Sequence, residues 1–109
     1  MAKAPPSAHR DRIQPLFPAL VDYTNDVIYG DLWERKGLSK RDRSLITVAA
    51  LVATVRPMQL HSHVQRALDN GVTKAEIAEI VTHMAFYAGW PAAMTSAQTI
   101  ADIYEAQKK

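Results

Sequence analysis

The chain of 109 residues contains no cysteine. That absence excludes thiol peroxidase chemistry, disulfide exchange and thiolate–metal sites together, because each needs a sulfur nucleophile or ligand. Long apolar runs are also missing. The longest, Val48 to Ala53, falls far short of the roughly 20 apolar residues that a membrane-spanning helix requires. The N-terminal MAKAPPSAHRDR has no apolar core of the kind found in signal peptides, so a cytoplasmic location is expected. Charge of one sign is nearly balanced, with a formal net charge of +2. Part of the excess lies at the ends, in Lys3, Arg10, Lys108 and Lys109. No basic stripe follows any one element, which argues against a nucleic-acid partner.

What remains is a chain rich enough in apolar residues, at 48%, to bury a core within one domain spanning residues 1–109. Pro5-Pro6 and small residues make residues 1–12 a flexible lead-in, with His9 incidental in a polar tail. Pro15 and Pro18 limit the first helix to starting near Leu16 or later. Ala19, Leu20, Tyr23, Val27 and Ile28 then recur at helical spacing up to about Tyr29, where Gly30-Asp31 ends it. Leu32 to Arg35 reads as a short turn carrying Trp33.

The next helix opens at Ser39, an N-cap with Asp42 three positions on. Its apolar residues, from Leu45 to Ala53, cover most of the circumference, which predicts a central helix packed on several sides. Pro57 begins another helix, running to about Asn70, with Gly71 as a left-handed C-cap. Thr73 and Glu76 form a Thr-x-x-Glu capping box for a helix to about Ala88 with a core stripe of Ile77, Ile80, Val81, Met84 and Ala85. After Gly89-Trp90-Pro91 a last helix presents Ala93, Ala97, Ile100, Ala101 and Tyr104. With no strand pair or hairpin turn, the reading is all-α, about five helices.

Three of the four histidines, His61, His63 and His83, lie between Gly37 and Pro91. On a helix His61 and His63 stand roughly 160° apart, flanking the Leu60, Val64, Ala67, Leu68 stripe from opposite edges. They do not share one site. No carboxylate is spaced to complete a metal centre and H-E-x-x-H is absent, so no metal is expected. His63 shares its face with Gln59, Arg66 and Asn70. Glu79, His83 and Tyr87 follow at i, i+4 spacing, where the glutamate could orient the ring and raise its pKa. Phe86 points away from the core stripe and, with Tyr87, forms an aromatic patch of the kind that marks an interface, which predicts a homo-oligomer.

GLSKRDRSL from Gly37 to Leu45, Gln59 to Leu68, Asn70 to Thr73 with Glu76-Ile77, and HMAFYAGWP from His83 to Pro91 closely resemble the carboxymuconolactone decarboxylase family. The likeness runs over about Ile28 to Ala101. It implies an alkylhydroperoxidase-like helical bundle that assembles into trimers or hexamers. A redox branch of that superfamily uses a glutamate, a Cys-x-x-Cys pair and a histidine; these would fall on Ser44, Arg56, Gln59 and His63. Only the histidine is present, which places the chain with the cysteine-less branch. His61 stands where some decarboxylase-type sequences carry an acidic residue.

The resemblance implies cofactor-free decarboxylation of γ-carboxymuconolactone, or a similar small anionic lactone, in aromatic catabolism. The ring alkene and lactone carbonyl take up the electrons of the broken C–CO2 bond as a dienolate. The enzyme has then to stabilise an oxyanion, hold a carboxylate and supply a proton. His63 or His83 is the expected proton donor, Arg43 or Arg56 the carboxylate clamp, with Gln59 and His61 completing the substrate contacts. Two alternatives stand beside this reading: a paralogue acting on another lactone or keto-type acid, and a non-catalytic helical oligomer.

Overall fold

The computed structural model describes residues 4–108 and is helical throughout, with no strand among them. In chain order the helices are α1 (Ala8–Ile13), α2 (Pro18–Tyr23), α3 (Lys40–Ala53), α4 (Pro57–Asp69), α5 (Lys74–Tyr87) and α6 (Trp90–Gln107). Between α2 and α3 lie a π-helical turn, Thr24–Tyr29, and a 3-10 turn, Leu32–Glu34. The chain forms two compact units, one up to Lys40 and one from Arg41 onward. No helix among the described residues is long and apolar enough to cross a membrane.

In the first unit the segment expected as a lead-in, of which residues 1–3 lie outside the described residues, carries a helix from Ala8. The Ser7 hydroxyl caps α1 by accepting from the Arg10 amide at 3.2 Å, so His9 lies on a helix and is exposed there. The Arg10 side chain donates to Asn25 Oδ1 at 3.1 Å and also to the Pro5 carbonyl. Its guanidinium lies 5.1 Å from the Tyr29 ring centre, and Tyr29 in turn stands 6.1 Å from Trp33. The run beginning at Pro18 stays helical to Tyr29, as the spacing predicts, but loosens to π geometry from Thr24. Of its apolar residues only Val21 is buried; Leu20, Tyr23, Val27 and Ile28 are exposed. Helical spacing shows which residues share a face but not what covers that face.

In the second unit, Val48 and Val52 of α3, Leu60, Val64 and Ala67 of α4, Ile77 and Ile80 of α5, and Ile100 and Ile103 of α6 share one core. Each valine, leucine or isoleucine among them, taken fully from water, contributes about 1.5–3 kcal/mol. α6 packs along both α4 and α5. Two helices, α3 and α6, turn faces inward that differ from those their residue spacing predicts. The buried side of α3 is a single stripe of Ser44, Val48 and Val52, and Ile46 on another side is 56% exposed. The buried face of α6 is Ala92, Ala93, Ser96, Ile100 and Ile103, whereas Ala97 and Ala101 face outward. The alanines on both sides of α6 make its faces look alike, and the large Ile103 decides which one turns inward.

The helix ends follow the local signals. Pro57 and Pro91 sit in the first turns of α4 and α6. Thr73 and Glu76 form the full capping box, with Glu76 N–H donating to Thr73 Oγ1 at 3.1 Å and Thr73 N–H to Glu76 Oε1 at 2.9 Å. α4 closes with Gly71 at φ 97°, the Val72 amide donating to Ala67 O at 2.9 Å and the Gly71 amide to Leu68 O at 3.1 Å. Such a close needs a left-handed residue, which glycine adopts without steric cost.

Candidate functional site

Helix α4 turns Leu60, Val64 and Ala67 into the core, which sends His61 and His63 to opposite edges. His61 is exposed and His63 half-buried. One turn on, Arg66 is also half-buried, and its Nη1 lies 3.2 Å from His63 Nδ1 and 3.4 Å from Nε2. An arginine has only donors, so a ring nitrogen that accepts from it must be unprotonated. Burial first, and the Arg66 charge second, lower the His63 pKa to about 4. The ring is therefore neutral at pH 7.

A further turn along, Asn70 at the C-cap of α4 donates its side-chain amide to Ser44 Oγ on α3 at 3.0 Å. Ser44 is 1% exposed. The face His63–Arg66–Asn70 is thus tied to α3 rather than fully solvated. Arg43, the residue before Ser44, is half-buried. Arg56 is the N-cap residue of α4 and exposed, as is Gln59 one turn later.

His83 stands elsewhere. It lines an apolar groove of about 510 Å³ between α3 and α5, walled by Leu45, Ile46, Ala49, Glu76, Glu79, Ile80 and Met84. Its ring stacks on Tyr87, with centres 4.6 Å apart and planes 17° from parallel. Glu76 is drawn to one side by Arg41, which donates to its Oε2. The capping bond from the Thr73 amide, then Arg41, holds the Glu76 carboxyl below the usual glutamate range. Neither His61, His63, Arg43, Arg56 nor Gln59 belongs to the walls of this groove. A second depression, of about 400 Å³ in the first unit, is lined by residues including Arg10, Gln14, Asn25 and Asp26 and by none of the candidate residues.

The structure therefore separates the two histidines favoured by the sequence and sets each in different chemistry. His63 has a cation against its ring; His83 shares its groove with carboxylates. Arg66, in the sequence only a companion on the His63 face, proves to be a side chain in contact with that ring. The i, i+3 spacing was the signal for it.

Residues 18–102 match the family model described as the carboxymuconolactone decarboxylase family. The chain belongs to this family. Its helical structure is the alkylhydroperoxidase-like fold of that family. The chain is similar, at 36% identity over 77 residues, to the 4-carboxymuconolactone decarboxylase of Acinetobacter baylyi, covering 71% of this chain and 58% of that protein. It is 36% identical over 81 residues to the nitrosuccinic acid decarboxylase of Metarhizium robertsii, covering 71% of this chain and 57% of the relative. It is 32% identical over 95 residues to an uncharacterized 15.0 kDa protein of Paracoccus denitrificans, covering 84% and 70%. The chain spans somewhat over half the length of the two decarboxylases it matches.

Proposed function

We propose that this family member is a carboxy-lyase that removes CO2 from a small carboxylated acid without a cofactor. The observation that carries the reading is its 36% identity to two relatives that are both named as decarboxylases. Their two named substrates differ in skeleton and agree in chemistry. In each, the carboxylate that can leave sits beside a group able to accept the electron pair: a lactone carbonyl reached through an alkene in one, a nitro group in the other. In each, a second carboxylate remains. A protein serving such substrates has to steady a delocalised anion and return a proton to carbon.

The His63–Arg66 pair supplies an imidazole and a fixed positive charge on one half-covered face. That favours His63 over His83 as the proton-handling residue, because Glu79 in the His83 groove would repel an anionic substrate. Arg43 or Arg56 is a candidate clamp for a carboxylate, with Gln59 and His61 as further substrate contacts. We further propose one functional domain, since the family match runs from residue 18 to residue 102. We propose a cytoplasmic homo-oligomer, a trimer or hexamer. The exposed, edge-on pair Phe86 and Trp90, with ring centres 5.8 Å apart, supports association.

The test is CO2 release by the purified protein from γ-carboxymuconolactone and, separately, from nitrosuccinate. Release from either at enzymatic rates is the expected result; release from neither overturns the reading. In His63→Ala, turnover should fall roughly 10²-fold or more if the ring delivers the proton. Unchanged turnover removes His63 from the mechanism. γ-Carboxymuconolactone, in aromatic catabolism, is the leading substrate; preferential turnover of nitrosuccinate would favour a paralogue with a different acid.

A further inference from the structure

We propose that Arg66, rather than Arg43 or Arg56, is the substrate-anchoring residue, holding the carboxylate that a small dicarboxylic acid retains and thereby placing the reacting carbon beside the His63 ring. The inference rests on the decarboxylase reading for its ligand class and on the geometry of α4 for its residue. Arg66 Nη1 is nearly equidistant from the two ring nitrogens, at 3.2 and 3.4 Å, so the guanidinium lies against the ring between them rather than in line with either nitrogen. A guanidinium presents five N–H donors in a planar fork that matches a carboxylate two-to-two. Anything bound through that fork is within one side-chain width of the imidazole. Both residues are half-buried, where a charge-assisted hydrogen bond is stronger than in open water.

The chemistry decides which carboxylate is held. A carboxylate that leaves as CO2 loses its negative charge on the way to the transition state. An arginine clamped on it would stabilise the ground state more than the transition state and would slow the reaction. An arginine on the retained carboxylate binds both states equally and positions the reacting carbon. The bound anion has a second effect. It offsets the guanidinium charge that helps keep His63 unprotonated, so the ring gains proton affinity when substrate arrives. A proton taken from solvent onto the ring is then available for the carbon from which CO2 has departed.

The probe is succinate, a dicarboxylate with no group to accept the electrons of decarboxylation. Histidine ring resonances are followed by NMR during succinate titration of the unsubstituted protein, Arg66→Gln and Arg66→Lys, with His63 assigned from His63→Gln. The expected result is a succinate-dependent shift of the His63 signals toward the protonated form. Succinate affinity should fall about tenfold or more in Arg66→Gln and by less in Arg66→Lys, and KM for the decarboxylated acid should rise more than kcat falls. No His63 response in the unsubstituted protein overturns the proposal, as does equal succinate affinity in Arg66→Gln. Should Arg66→Gln not fold by circular dichroism, Arg66→Lys carries the comparison, and undiminished affinity there overturns it. The two readings fail separately. Succinate at His63 without turnover of either acid sinks the decarboxylase assignment and leaves the anchor. Turnover with an unchanged KM in Arg66→Gln sinks the anchor alone.

Discussion

The Arg56 amide donates to the Leu51 carbonyl over 2.9 Å, and the Val55 amide to Val52 over 3.2 Å. This pair of bonds closes α3 in the same pattern that closes α4, but with a valine where α4 has Gly71. Val55 sits at φ 55°. For a β-branched residue the left-handed region is strained by about 1–2 kcal/mol. Val55→Gly should relieve that strain, less the roughly 0.5–1 kcal/mol of extra chain entropy that glycine loses on folding. The net expectation is a gain of about 0.5–1 kcal/mol, read as a higher urea midpoint with an unchanged slope. Gly71→Val should move the midpoint the other way. A destabilised Val55→Gly would mean that the valine side chain contributes more by packing than its backbone costs.

Asn70 and Ser44 should be energetically coupled. The Ser44 hydroxyl is buried and accepts from Asn70 at 3.0 Å, so Asn70→Ala strands a polar atom away from water at a cost of about 1–3 kcal/mol. Ser44→Ala with Asn70→Ala removes both partners and should cost less than the sum of the single changes. A double-mutant cycle by chemical denaturation measures this. Strict additivity would show that the bond contributes nothing beyond packing.

The depressed pKa of His63 has a sign for stability. Unfolded, the ring titrates near 6.5; folded, near 4. Between those values the unfolded chain binds the extra proton, so acid favours unfolding. The contribution is fully present above about pH 6.5 and is lost as pH falls through 4. Stability should therefore decline more steeply from pH 6.5 to 4 in the unsubstituted protein than in His63→Gln. Parallel pH profiles for the two would show that the ring is not depressed in the folded chain.

Phe86, 77% exposed, and Trp90, 58% exposed, carry the expectation of assembly. Phe86→Glu removes no core contact, so the chain should stay folded by circular dichroism while its sedimentation coefficient falls to that of a smaller species. An unchanged coefficient would place any interface elsewhere.

Much of the secondary structure was legible because its signals are short-range. Pro57, Gly71, Thr73 with Glu76, and Pro91 act on backbone groups within a turn of themselves, and each marks a helix end found in the structure. The α4 core stripe was legible too, since Leu60 and Val64 are large and unambiguous. The α6 face was not, because small residues on opposite sides of a helix carry almost no hydrophobic preference. Nor was α1, where the Pro5-Pro6 pair obscured the Ser7 cap that follows it.

The sequence by itself determined the all-helical class, the family, the exclusion of thiol chemistry and the separation of His61 from His63, all of which follow from residue identity and helical period. Tertiary structure decided the rest. Only packing half-buries His63 and so lowers its pKa, seats Asn70 on Ser44, and sets His83 in a groove between α3 and α5 apart from His63. Burial and charge at a ring depend on side chains from other turns and other helices. Periodicity along one segment shows which of those turns share a face, but not how deeply that face is covered.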